Sequence, residues 1–249
     1  MIQLPLEPKI VSKTGNKVLF EIGPLYPGYG TTIGNVLRRV LISSIEGAAV
    51  TSAKIKGVDH EFSTIAGVRE DVIEIIVNLK KIRFQLFTDE PVVLSLSSKG
   101  TGAVTAKDIQ STADVEVVNP DQHIATVTDK KLELEIEIRV EKGVGYVPVE
   151  QRQKEKLSVG EIAIDGIFTP IRNVHYEVQN IRVGQRTDYN SILMDIETDG
   201  SISPEETLQK ASQIIIDQFQ IINSVLVPKK EAPVVKEKKT RKSAKAAKE

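Results

Sequence analysis

The sequence predicts an α+β fold with few helices and much antiparallel sheet. Three observations carry that expectation. Apolar residues recur at helical spacing in only three stretches, near 31–45, 70–80 and 203–227. Between the second and third lies a long series of short alternating segments, the pattern of half-buried strands. The 249 residues, 40% of them hydrophobic, suffice for a buried core in one large domain or two of ordinary size.

Taken in order, segments 9–11 and 17–22 flank Thr14-Gly15-Asn16 and read as an N-terminal hairpin. Gly23, Pro24, Pro27, Gly28 and Gly30 then break the chain. Thr31 or Thr32 is placed to cap a helix running to about Ile45 and closed by Gly47. A strand is expected at 48–58, a loop at 60–67 and a helix at 70–80. Strands follow at 83–87, 92–97, 115–117, 123–128, 131–141, 161–164, 172–183 and 192–198. In the last helix Ser203 supplies the N-cap hydroxyl, Pro204 the first turn and Glu206 the acidic residue three positions on; Pro228 ends it.

The formal charge of -1 conceals two unlike regions. Residues 228–249 hold nine Lys and Arg against three Glu, a balance of +6, leaving 24 basic and 31 acidic residues, or -7, in 1–227. That tail has almost no branched apolar residue and no aromatic, so it is expected to be disordered. It serves either as a solubilising end or as a salt-dependent contact to a polyanion such as DNA. Zero cysteine excludes disulfides, thiolate catalysis and Cys-based zinc sites. No stretch approaches the roughly 18 apolar residues of a membrane span, and the N-terminus lacks a signal-peptide pattern. A cytoplasmic protein with no membrane contact is expected.

Two helices present more apolar surface than one core needs. In the last, Leu208, Ala211, Ile215, Phe219, Ile222 and Leu226 form one seam, flanked by Ile214, Ile221 and Val225. Such a helix packs on its own sheet and on a second body, a homodimer partner, or else lies centrally in a monomer. In the first, Ile33, Val36, Leu37, Val40, Leu41 and Ile45 make the core stripe, while Asn35, Arg38, Arg39 and Ile42 share the opposite surface. That composition fits an interface, where Arg is enriched and Lys depleted, or a set of salt-bridged surface arginines.

Catalytic patterns are missing. His60, His123 and His175 stand far apart, and His60-Glu61 lacks the second histidine of a zinc-protease helix. Gly28, Gly30 and Gly34 have spacing one residue too long for a dinucleotide loop and read as turn-forming. No Asp-x-Asp cluster occurs, so no catalytic residue, metal site or cofactor is expected in this chain.

The run YGTTIGNVLRRVLISSIEGAAVTSAKIKGVDHEFSTIAGVREDVIEIIVNLK from Tyr29 resembles the N-terminal assembly domain of the bacterial DNA-directed RNA polymerase alpha subunit. Blocks at 104–109, 145–148, 168–170, 182–188 and 197–206 follow in the family's order. The resemblance implies a two-lobed chain: 1–46 with 172–227 as a dimerisation subdomain, 47–171 as an inserted, mostly β subdomain, and 228–249 as the basic tail. It implies a homodimer through the first and last helices, with Leu37, Leu41, Ile215, Phe219, Ile222 and Leu226 at the interface. It implies beta-subunit contacts through Asn35, Arg38, Arg39, Ile42, His60, Glu61, Phe62 and Arg69. Lys80 and Tyr146 are candidates for beta-prime. Phosphodiester synthesis, with its magnesium, would belong to the large subunits, and DNA would be met through the complex or the tail. The family's usual C-terminal DNA-binding domain is expected to be absent.

Overall fold

The computed structural model describes residues 4–110, 112–152 and 158–226; the basic tail lies outside them, as do the side chains of Val225 and Leu226. The chain opens with β1 (Lys9–Thr14), β2 (Lys17–Leu25), α1 (Tyr29–Ser44), β3 (Glu46–Ile55) and α2 (Val72–Leu79). Short strands follow: β4 (Phe84–Leu86), β5 (Val92–Lys99), β6 (Gly102–Thr105), β7 (Val115–Val117) and β8 (His123–Val127). Then come β9 (Glu133–Val144), β10 (Tyr146–Val147), β11 (Glu161–Ala163) and β12 (Gly166–Ile167). Two long strands, β13 (Ile171–Val183) and β14 (Arg186–Thr198), lead into α3 (Pro204–Leu226). The fold is α+β.

The first and last parts of the chain build one antiparallel sheet in the order β1-β2-β14-β13. Alternation puts Val18, Phe20 and Ile22 of β2 beside Ile192, Met194 and Ile196 of β14 on its covered face. Helices α1 and α3 pack on that face and on each other. The middle of the chain builds a second body around a six-stranded sheet, β5-β9-β3-β4-β7 with β11 added to β3. Its core joins Ile136, Ile138 and Val140 to Leu94, Leu96, Phe84 and the α2 residues Ile75 and Leu79. Burial of each such side chain contributes roughly 1.5–3 kcal/mol, so packing rather than intrinsic propensity holds the eight-residue α2.

The two cores share no buried residue. The chain leaves the first after Ile45 and returns to it at Ile171 and Val174. An ion pair bridges the bodies: Arg83 Nε lies 3.4 Å from Asp199 Oδ2, both side chains largely buried.

Several local expectations are corrected. β2 continues through Gly23 and Pro24 to Leu25, because Pro24 falls where the β14 register shifts between Asn190 and Ile192 and no ladder amide is required. α1 begins at Tyr29, not after Thr31 or Thr32, and neither threonine caps it. Gly47 belongs to β3 and does not close the helix. α2 starts at Val72, since Asp71 is its N-cap, accepting from the Glu74 amide at 2.7 Å. β6 is additional to the expected strands; a lone Val104 among Gly, Ala and Thr gives little strand signal. At α3, Ser203 Oγ does accept from the Glu206 amide, at 3.2 Å.

Candidate subunit-contact surfaces

The glycines before and within α1 serve packing. A Cβ at Gly34 would lie 2.6 Å from the Tyr176 ring, and one at Gly30 2.6 Å from Val178, so α1 sits directly on β13. The left-handed Gly28 (φ 86°) turns the chain into the helix, and Asn190 Oδ1 accepts from the amides of Gly28 (2.9 Å) and Gly30 (3.3 Å). Those amides are the donors a phosphate would require, and they are occupied by the protein itself.

With its small face on the sheet, α1 turns Asn35, Arg38, Arg39 and Ile42 outward, all exposed along one stripe. Among the described residues neither guanidinium has an ion pair or a hydrogen bond. Arg39 contributes only its carbonyl, which accepts from Ser43 Oγ at 2.8 Å.

A second exposed group comes from the connection between β3 and α2. His60, Glu61 and Phe62 stand at its tip, with Phe62 77% exposed. Arg69 is exposed and Glu70 is buried, 7% exposed. Burial pushes the Glu70 carboxyl up, but hydrogen bonds from the His123 ring and from the Thr126 amide and hydroxyl outweigh it, holding it at about 2 against an ordinary 4.5.

Lys80 and Tyr146 converge on one carboxylate. Lys80 Nζ lies 2.9 Å from Asp165 Oδ2, and the Val149 amide donates to Oδ1 at 3.1 Å. The Lys80 ammonium, aided by the Val149 amide and the Tyr146 hydroxyl, holds the Asp165 carboxyl below its usual range despite burial. Ile73 and Val77, one turn apart on α2, are also exposed, beyond the expected contact residues; their i, i+4 spacing opposite Ile75 and Leu79 is the sequence signal for that face.

The apolar arc of α3 divides along its length. Leu208 and Ala211 are buried on the first sheet, and Ile214 and Ile215 are half-buried against the same core. Beyond them Ile216, Phe219, Ile221 and Ile222 are all exposed, Phe219 at 62%. Leu226 lies outside the described side chains. Leu37 and Leu41, at 6% and 0% exposure, lie in the core of this chain, because the α1 face opposite Arg38 and Arg39 packs on the sheet. Leu4, Leu6, Ile10 and Val11 add an exposed apolar set along the β1 edge that sequence reading did not single out.

Among the described residues no group of His, Asp and Glu could hold a metal ion, and no helix is long and apolar enough to cross a membrane. The described surface thus combines exposed apolar side chains on α2, α3 and the β3–α2 connection with the two unpaired arginines of α1. Comparison with known proteins gives the family. Residues 53–169 match the family described as "RNA polymerase Rpb3/RpoA insert domain". The DNA-directed RNA polymerase subunit alpha of Salinibacter ruber is 44% identical over 249 residues, 100% of this chain and 75% of that protein. That of Roseiflexus castenholzii is 50% identical over 214 residues, 86% of this chain and 66% of that protein. That of Lawsonia intracellularis is 52% identical over 202 residues, 81% of this chain and 58% of that protein. The chain belongs to the DNA-directed RNA polymerase alpha-subunit family.

Proposed function

We propose that this chain is the non-catalytic alpha subunit of a DNA-directed RNA polymerase, a homodimeric platform on which the beta and beta-prime subunits assemble. The observation that carries this reading, beside family membership, is the exposed second half of α3. Four large apolar side chains there, each about half exposed and so worth roughly 1 kcal/mol on further burial, extend a helix whose first half is already packed. A second copy crossing the same helix buries them by two-fold symmetry.

Dimerisation presents two copies of the α1 stripe and of the Phe62 loop. One copy takes the beta subunit through Asn35, Arg38, Arg39 and Ile42 with His60, Glu61, Phe62 and Arg69. Unpaired arginines suit this role, since docking disrupts no existing ion pair. The other copy takes beta-prime, with Lys80, Tyr146 and the shared Asp165 at the contact. Residues 1–46 with 172–227 act as the dimerisation subdomain and 47–171 as the insert, a division supported by the two separate cores. Nucleotidyl transfer and its magnesium belong to the large subunits, and the complex works on DNA in the cytoplasm.

Light scattering of the full chain tests the dimer, and co-purification with the beta subunit tests assembly. A monomer at micromolar concentration, or a dimer that captures no beta, overturns the respective half of the reading.

A further inference from the structure

The connection 56–71 has no helix or strand of its own, yet its tip presents Phe62 to solvent. A loop of that length samples many directions unless it is anchored. Its second half is laid along β8: the Thr128 amide donates to Gly67 O at 2.8 Å, the Arg69 amide to Thr126 O at 3.0 Å, and Val68 bridges Val127. The tip is tied to the same base, since the Val72 amide donates to Ser63 O at 3.3 Å and Ser63 Oγ to His60 O at 2.7 Å.

Glu70 stands at the centre of this base. Its Oε2 accepts from the Thr126 amide at 2.6 Å; its Oε1 accepts from Thr126 Oγ1 at 2.9 Å and from His123 Nε2 at 3.0 Å. Asp71, the next residue, faces the opposite way to cap α2. A buried carboxylate is costly to desolvate, and an apolar side chain would fill the space as well. What the carboxylate adds is direction: three donors on one strand admit one placement of residues 67–70.

We propose that Glu70 is a positioning residue that, through Thr126 and His123, sets the direction in which His60, Glu61 and Phe62 leave the protomer. The inference rests on the reading that this loop meets the beta subunit. A loop held in its docking direction loses less conformational freedom on binding, so the clamp acts on affinity without touching the partner.

The test measures capture of the beta subunit by the full-length dimer for Phe62→Ala, Glu70→Gln and the double variant. Phe62→Ala reports the contact itself. Glu70→Gln keeps the size and one acceptor but loses the charge that gathers three donors; capture is expected to weaken about tenfold with dimer mass and cooperative melting retained. The double variant is expected to lose clearly less than the sum of the two single losses, because Glu70→Gln acts partly through Phe62; general destabilisation does not produce that non-additivity. Amide exchange in Glu70→Gln should accelerate at residues 60–66 and not in β3 or β9. If Glu70→Gln fails to fold, Thr126→Val removes one donor and carries the same comparison. Weak capture by Phe62→Ala with normal capture by Glu70→Gln, or additive losses, overturns the positioning role alone. Normal capture by Phe62→Ala overturns the contact reading and the positioning role with it.

Discussion

Asn190, on β14, caps a helix that begins at Tyr29: its side-chain oxygen lies 2.9 Å from the Gly28 amide and 3.3 Å from that of Gly30. The same side chain donates from Nδ2 to Asn180 Oδ1 on β13 at 3.1 Å. One amide group therefore ties α1 to both long strands.

Asn190→Ala leaves two buried or half-buried amides and the Asn180 oxygen without their partner. It should cost about 1–2 kcal/mol in urea unfolding. Asn190→Asp keeps the acceptor for α1 and should lose less. Equal losses for the two variants would show that the cap is not what Asn190 contributes.

Phe219→Asp separates dimerisation from folding. Because Phe219 is exposed in the protomer, the variant should keep its circular dichroism and shift to monomer mass in light scattering. Leu41→Asp, at a fully buried position, should instead yield unfolded protein.

Charge reversal of Arg38 and Arg39 to Glu should reduce beta-subunit capture by at least about tenfold. Neither side chain has an intraprotomer partner among the described residues, so melting should change by less than about 0.5 kcal/mol. A loss of capture that appears only with a lowered melting temperature would contradict the assignment.

The Glu70 carboxyl also predicts an acid limb. Its folded pKa is depressed to about 2 from an ordinary 4.5, so its contribution is complete above about 4.5 and fades as pH falls toward 2. Wild type should lose stability across that window more steeply than Glu70→Gln, which has no proton to gain. Parallel acid limbs by urea unfolding at pH 5 and pH 3 would refute the clamp.

How far such features are legible in the sequence depends on their range. α3 is announced locally by Ser203, Pro204 and Glu206, and the long strands by alternation. The Asn190 cap involves residues some 160 positions apart, and nothing near Gly28 encodes it. The wheel of α1 shows that Leu37 and Leu41 are buried but not against what, and the tertiary fold assigns them to their own sheet. Arg69 and Glu70 stand side by side in the run that resembles the family; the chain bends at both, leaving Arg69 exposed and Glu70 buried. Family resemblance locates such a segment without distinguishing the residue that touches a partner from the one that holds it.

The nesting of one core within the other orders events during synthesis. β1, β2 and α1 leave the ribosome first, but their sheet is completed only when β13 and β14 emerge. At roughly 5–20 residues per second, the intervening segment takes on the order of ten seconds to appear. The inserted body, whose strands are all encoded between Glu46 and Ile167, is free to close meanwhile. The middle of the chain can therefore close before the outer sheet is complete, and the apolar half of α3 is translated only after the strands of both cores.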